Sequence, residues 1–330
     1  GHTAHATQEE AREEVLKMLG VYRDFLKETL ALPCIPGRKT ATERFAGADD
    51  TFTVEAMMQN GWALQAGTSH DLGQNFSKAF GTQFLNQKQE LEYVYQTSWG
   101  VSTRMIGALI MSHADDEGLV LPPKLAQTKV VIVPIYKSDE EKAKMLEVCE
   151  QVKTILKEGI ADLGPFGVKI DDRDERPGQK RFYWEQRGIP LRIEIGPKDV
   201  AKNSVFVARR FDREKISLPI EGLAGAIEAQ LRELQAAMYE KAWRFLLENT
   251  HICDDYDEFK ERINDGGFFL CHWDGTAETE AKVKAETKAT IRCLPLEPSA
   301  LGIDRADETD GKCLVTSKPS AGRVVYARAY

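Results

Sequence analysis

A proline pair in the run Leu119-Val120-Leu121-Pro122-Pro123-Lys124 divides the 330-residue chain into stretches of different periodicity. Neither proline can continue a helix, and two in succession stiffen the backbone, so the pair reads as a linker. Beyond it, apolar runs of strand length alternate with helical patterns. Lys129 to Pro134, Val168 to Asp171, Leu191 to Ile195 and Ser204 to Arg209 read as strands, and Asp139 to Lys157 and Leu223 to Leu247 as helices. That alternation is the signature of an α/β fold, a sheet covered by helices. From about Thr250 a charged segment follows and closes on a strand-like run, Arg323-Val324-Val325-Tyr326-Ala327. Three domains are expected, 1–122, 123–240 and 241–330.

Before the linker, Thr7-Gln8-Glu9-Glu10 has the pattern of a helix start, with apolar residues then recurring at Val15, Leu16, Leu19, Tyr22, Phe25 and Leu26. Pro33, Pro36 and Gly37 end that helix, and 40–60 reads as part strand, part helix. Residues 61–76 are dense in glycine, hydroxyls and amides, which suits a strand edge or a loop lining a polar pocket. Leu91 to Ser98 alternates as a strand does, and Met105 to His113 reads as a helix.

Charge narrows the partners. The chain carries 44 basic and 52 acidic residues, a net −8, which argues against a nonspecific nucleic-acid coat. Residues 168–215 reverse that sign, with 13 Lys or Arg against 9 Asp or Glu. A docked polyanion responds to such a local field. No stretch approaches the roughly 20 apolar residues of a membrane span. The opening Gly1-His2-Thr3-Ala4-His5 has no basic or apolar targeting region, so a cytoplasmic location is expected. Six cysteines without a CxxC pair read as free buried thiols.

Two stretches carry candidate chemistry. Gln65 to Phe76 places amides, hydroxyls and one imidazole beside glycines, either a pocket for a small polar substrate or a satisfied turn on a sheet edge. Thr97-Ser98-Trp99-Gly100-Val101-Ser102-Thr103-Arg104 puts an arginine at the mouth of a helix. There it either grips a phosphate bidentately, helped by the helix N-terminus, or pairs with a surface carboxylate.

Together these stretches resemble prolyl-tRNA synthetases of the archaeal and eukaryote-like type. The resemblance rests on Gly67-Thr68-Ser69-His70, Leu72-Gly73-Gln74-Asn75-Phe76, Trp99-Gly100, Ser102-Thr103-Arg104 with Ile106-Gly107, His113, and Gly118 to Pro123. It continues in Gly196-Pro197-Lys198-Asp199 and in Val324 to Tyr330. The segment at Arg104 is similar to the third signature motif of class II synthetases. The resemblance implies an α+β catalytic remainder with an antiparallel sheet, an α/β anticodon-binding domain with a mixed sheet and a small α+β C-terminal domain. It also implies that the family's first and second motifs lie upstream of these residues, so that adenylation by this chain alone is not expected.

The activity implied is ATP-dependent activation of L-proline to prolyl-adenylate, with Mg²⁺, and transfer to tRNA(Pro) by a homodimer. The resemblance makes Arg104 the catalytic ATP-gripping residue, with Gln65, Ser102 and Thr103 around the nucleotide. Thr68, His70, Phe76, Trp99 and Gly100 are implied around proline, Trp99 and Phe76 as apolar walls. Glu185, Arg192, Lys198 and Asp199 are implied to read the anticodon, while Phe182, Tyr183 and Trp184 interleave with Lys180, Arg181 and Arg187 as a base-stacking surface. The C-terminal domain of related proteins often holds zinc on four cysteines. Here those positions fall on Asp274, Thr279, Cys313 and Thr316, and a substitute set of Cys271, His272, Cys293 and Cys313 is irregularly spaced, so zinc is not expected. The terminal Tyr330 resembles a chain end folded back toward the active site; a frayed tail is the alternative. A noncatalytic tRNA-binding protein built from the same domains is the alternative function.

Overall fold

A computed structural model describes residues 1–330 and groups them into two compact units. One comprises Gly1–Glu28, Leu32–Ser112 and Ala242–Tyr330; the other comprises Thr29–Ala31 and His113–Lys241.

The first unit opens with β1 (His2–His5), α1 (Gln8–Glu28), β2 (Ile35–Arg38), β3 (Asp50–Met57), β4 (Ala63–Gly73) and α2 (Asn75–Phe80). A small hairpin of β5 (Gln83–Leu85) and β6 (Leu91–Tyr93) precedes β7 (Tyr95–Gly100) and α3 (Arg104–His113). The α1 start is the expected reciprocal cap: Glu10 N donates to Thr7 Oγ1 at 3.2 Å, and Thr7 N donates back to the Glu10 carboxylate at 3.4 Å, which Ala6 N also meets at 3.1 Å. Its buried face, Ala11, Val15, Leu19, Tyr22 and Leu26, recurs at helical spacing and packs on β3, β4 and β7.

Two local expectations differ from the structure. Residues 39–49 contain no helix: a single turn, in which the Thr40 carbonyl accepts from Glu43 N and Arg44 N, is not continued, the chain runs on irregularly through Gly47 at φ 87°, and the Thr40 and Thr42 hydroxyls bond outward to Glu280. Residues 63–73 are neither edge nor loop but an interior strand, paired along β3 on one side and β7 on the other.

The second unit contains β8 (Val130–Pro134), α4 (Asp139–Gly159), β9 (Val168–Ile170), α5 (Pro177–Gln186), β10 (Leu191–Ile195), α6 (Pro197–Ala201), β11 (Ser204–Arg209), β12 (Lys215–Pro219) and most of α7 (Leu223–Glu248). Its sheet runs β12-β11-β10-β8-β9, parallel among β8, β9 and β10 and antiparallel at β11 and β12. Val130 and Ile132 pack under Met145, Cys149 and Val152 of α4 and Ile227 of α7. Val131 and Val133 face Trp184 and Ile189 on the other side. Helices thus cover both faces, and the strands read as continuous apolar runs.

The chain then returns to the first unit through β13 (Thr250–Ile252), α8 (Tyr256–Arg262), β14 (Phe268–His272), α9 (Ala277–Thr287), β15 (Thr290–Pro295) and β16 (Arg323–Ala327). These strands extend the first sheet to nine, in the order β1-β7-β4-β3-β2-β15-β16-β14-β13. Segments 1–122 and 241–330 therefore share one sheet, joined where β2 pairs with β15, Arg38 with Leu294 and Gly37 with Pro295. Gly37 is required at that join, because a Cβ there would lie 2.4 Å from Cys293 Sγ. Beside it Lys39, Glu55 and Arg292 form a buried ion triad. Lys39 Nζ donates to Glu55 at 2.9 Å and to the Arg292 carbonyl at 2.7 Å, and Arg292 Nε donates to Glu55 at 3.0 Å. Burial alone would raise the Glu55 pKa, but the two cations outweigh it and hold the carboxyl below its ordinary value. No helix is long and apolar enough to cross a membrane.

Candidate functional site

Strand register sorts the candidate residues by face. Ser69 on β4 donates to the Val15 carbonyl at 2.8 Å, so the odd residues there turn toward α1 while Thr68 and His70 turn away. Gln65 would lie on the α1 side by simple alternation. A bulge shifts the β3–β4 register between Val54↔Gly67 and Glu55↔Gln65, which restores Gln65 to the face of Thr68 and His70. Cross-strand rows follow on that face. His2, Ser98, His70 and Thr51 make one row, Gly100, Thr68 and Thr53 the next, and Gln65 and Glu55 a third. A Cβ on Gly100 would meet nothing within 4 Å, so the middle row is open above its glycine.

Trp99 does not join this face. It pairs with Ser69, which puts its side chain on the α1 side, and its indole lies against Gly1 rather than beside Thr68. The apolar wall comes instead from Phe45, a residue that sequence reasoning passed over. Its ring sits 4.9 Å from His70 and 6.4 Å from Phe76, which stands in turn 6.4 Å from Phe80. Phe45 lies in the irregular loop 39–49, where no periodicity marks a residue as facing anything. His70 Nδ1 and Thr51 Oγ1 are 3.0 Å apart, and partial burial lowers the imidazole pKa, so the ring is neutral at pH 7.

β7 ends at Gly100, and the chain turns at once into α3. Ser102 Oγ accepts from Arg104 N at 3.2 Å, which caps the helix start. Arg104 itself is exposed and has no carboxylate partner, so the surface ion pair weighed from sequence does not form. An uncompensated guanidinium at a helix N-terminus, next to a polar sheet face, is suited to a phosphate.

The chain end is anchored rather than frayed. Ala63 N donates to the Arg328 carbonyl at 2.7 Å and Tyr330 N to the Ala63 carbonyl at 3.1 Å, a parallel bridge onto the start of β4. Asn60 Nδ2 donates to the Tyr330 hydroxyl at 2.8 Å, and the Trp62 ring lies 5.3 Å away.

In the second unit a cavity of about 210 Å³ is lined by Arg181, Glu185, Arg192, Arg209, Arg213 and Lys215, among others. The structure joins two of the four implied anticodon residues here: Arg192 donates to Glu185 at 3.0 Å and to Glu194 at 2.8 Å. Arg192 is thereby braced between carboxylates, and Glu185 keeps acceptor capacity toward the cavity. Lys198 and Asp199 do not line it. They lie on α6 after β10, where Asp199 accepts from Gly196 N at 3.0 Å and Lys198 is exposed without a partner.

The expected aromatic surface is reduced to one ring. Trp184 is buried, donating to Asp171 at 2.7 Å, and Tyr183 is held between the guanidiniums of Arg173 and Arg187 at 3.9 and 3.5 Å. Only Phe182, 55% exposed, is free to stack. Lys180 is likewise buried, its ammonium on the Asp171 carbonyl at 2.9 Å. Sequence missed α5 because aromatic and charged residues interleave without a clean apolar stripe.

Three of the four positions where zinc would sit, Asp274, Thr279 and Thr316, come together, with the wrong donors. Asp274 accepts from the hydroxyls of Thr279 at 2.9 Å and Thr316 at 2.8 Å, and from Thr276 at 2.8 Å. Burial works against its charge, but these bonds hold the carboxyl below its ordinary pKa. One carboxylate saturated by neutral hydroxyls does not fit a tetrahedral zinc site. The substitute set of Cys271, His272, Cys293 and Cys313 is not gathered into a metal-binding group either.

A family profile described as "Anticodon binding domain" matches residues 129–230, and one described as "Prolyl-tRNA synthetase, C-terminal" matches residues 256–330. Over its whole length the chain is 53% identical to the proline–tRNA ligase of Bacteroides fragilis, covering 65% of it, and 52% identical to that of Chlorobium luteolum, covering 67%. A crystal structure of prolyl-tRNA synthetase from Cryptosporidium parvum with L-proline and AMP is similar at a TM-score of 0.90 and 37% identity, over 100% of this chain and 68% of that one. The chain spans about 65% of the length of the curated relatives it matches.

Proposed function

The chain belongs to the prolyl-tRNA synthetase family, and from that premise we propose that it forms part of a proline–tRNA ligase. In this reading the sheet face of Gln65, Thr68 and His70 binds prolyl-adenylate and its precursors. The observation that carries it is the His70 imidazole, walled by Phe45 and Phe76 on a polar sheet face, with an unpaired arginine at the start of the helix that follows β7. L-Proline offers one ring of apolar surface and two charged groups. An aromatic wall above hydroxyls and a neutral imidazole matches it.

Arg104, with Ser102 and Thr103, then takes the nucleotide. The chemistry is displacement at the α-phosphorus, where positioning and opposing charge supply most of the acceleration. Mg²⁺ bound to ATP would supply further charge neutralisation at its phosphates. Gln65 lies on the same face and is assigned to the nucleotide, Gly100 to the open floor beside Thr68. We propose that the second unit binds the anticodon of tRNA(Pro), Glu185 accepting from guanine with Arg192 as its brace, and Lys198 and Asp199 acting from α6. A homodimer acting in the cytoplasm completes the reading.

The test is amino-acid-dependent ATP–pyrophosphate exchange over all twenty amino acids, with this chain and with a form extended upstream to the length of its relatives. Proline-specific exchange in the extended form supports the ligase. Its absence in both, with anticodon-dependent tRNA affinity retained, supports the noncatalytic tRNA-binding alternative.

A further inference from the structure

The ring that walls the pocket sits on a loop with no regular structure, and that loop is gripped by a helix 240 residues further along the chain. Glu280, in the first turn of α9, is 4% exposed and accepts from Thr40 Oγ1 at 3.0 Å and from Thr42 Oγ1. One helical turn on, Lys284 Nζ lies 3.3 Å from Glu43. Residues four apart share a helix face, so a single face of α9 holds three of the four residues from Thr40 to Glu43. The other end of the loop is held from the pocket side. Phe45 N donates to Thr51 Oγ1 at 3.1 Å, the same hydroxyl that meets His70, and Asn75 Nδ2 donates to the Gly47 carbonyl at 3.1 Å. Gly47 also passes so close to Phe76 that a Cβ would lie 2.9 Å from its ring.

Phe45 is therefore fixed by clamps on both sides, although its own ring is half exposed. From this geometry we propose that α9, through Glu280 with Lys284 in support, is the positioning element for the amino-acid pocket: it sets where Phe45 stands over His70. The C-terminal segment thereby contributes to proline recognition without touching the substrate. A buried carboxylate accepts from two hydroxyls of one loop, and its loss leaves that end held only by the Thr40–Thr42 hydroxyl contact at 3.0 Å, the Lys39 N bond to Thr51 O at 2.8 Å and the partly exposed Lys284–Glu43 pair. The proposal rests on reading this pocket as the proline site.

The test uses the protein extended upstream to the length of its relatives, with Glu280→Ala, Glu280→Gln and Thr42→Val. Thr42 is exposed, so its variant keeps the fold intact even if a Glu280 variant does not. In pyrophosphate exchange, Glu280→Ala is expected to raise KM for L-proline about tenfold, the scale of one or two lost hydrogen bonds, while kcat and KM for ATP stay within about twofold. Thr42→Val shifts in the same direction by less. Glu280→Gln, which retains one acceptor oxygen, recovers part of the loss. Tryptic cleavage after Arg44, within the loop, accelerates in the same order.

Wild-type proline KM and cleavage rate in both Glu280→Ala and Thr42→Val would overturn the proposal. So would an equal rise in KM for ATP and proline, which marks a general loosening. Absence of proline-dependent exchange in the wild type would remove the pocket reading, whereas unchanged cleavage after Arg44 would remove the clamp.

Discussion

Arg292 Nε donates to the Glu55 carboxylate at 3.0 Å, joining β15 to β3 across 237 residues of sequence. Glu55 is wholly buried and also takes Lys39, so its charge is matched by two cations in a dry interior. Replacing it by glutamine strands both cations, and removing one partner of a buried pair costs about 3–5 kcal/mol. Glu55→Gln should lower the urea midpoint accordingly, at an unchanged slope.

The same triad predicts an acid response. The Glu55 pKa is depressed in the folded state, so its contribution is complete above the ordinary glutamate value of about 4.3 and is lost as pH falls from there through the folded pKa. Wild-type stability should therefore fall more steeply below about pH 4.3 than that of Glu55→Gln, measured as unfolding free energy against pH.

Much of this architecture was legible in the sequence, and what was not has identifiable causes. The strands of the second unit are continuous apolar runs, and α1 carries both a capping box and a helical stripe, so local pattern and final structure agree. That segments 1–122 and 241–330 share one sheet was not legible, because β2 meets β15 and no local pattern announces a pairing between strands so far apart. Gln65 illustrates the limit at the site, since alternation assigns it to the wrong face and only the bulge at Ala66 corrects it. Trp99 shows the converse: its residue type suits a wall, but its partner Ser69 turns it away. Phe45 gave no sign of where its ring would stand, because loop residues are placed by tertiary clamps.

His70 should titrate below the ordinary histidine value of about 6.5. Between the folded pKa and that value the unfolded chain binds the proton and the folded one does not. Stability therefore falls as pH drops through 6.5 and levels off below the folded pKa. In the upstream-extended protein, proline KM should be flat from pH 7 to 8 and rise once the ring charges. A nuclear magnetic resonance titration of the His70 imidazole checks the first statement and exchange kinetics the second.

Asp274 should make the C-terminal segment independent of metal. Its carboxylate ties Thr279 at the start of α9 to Thr316 on the loop before β16, a link that zinc would otherwise supply. A chelator should leave the melting temperature unchanged, and elemental analysis should find no stoichiometric zinc. Asp274→Ala removes the shared acceptor of three hydroxyls, leaves Thr316 without it while Thr276 and Thr279 keep each other, and should cost about 1–3 kcal/mol.

Arg104 and Lys198 should separate the two activities. Arg104 has no partner to lose, so Arg104→Ala removes positive charge without unpairing a carboxylate, and the fold should be unaffected. If it grips the nucleotide, exchange in the upstream-extended protein should fall by about 10²–10³, the usual cost of one preorganised charge at a reacting phosphate, while tRNA affinity holds. Lys198 is exposed and unpaired on α6, where a phosphate or a guanine O6 can reach it. Lys198→Ala should weaken tRNA binding, spare exchange, and, if its partner is a phosphate, reduce the slope of log affinity against log salt by about one. Glu185→Gln should instead relax the choice of anticodon base at constant salt slope, because it alters an acceptor and not a phosphate contact. Equal losses of exchange and tRNA binding in both Arg104→Ala and Lys198→Ala would show that the two units do not divide the work in this way.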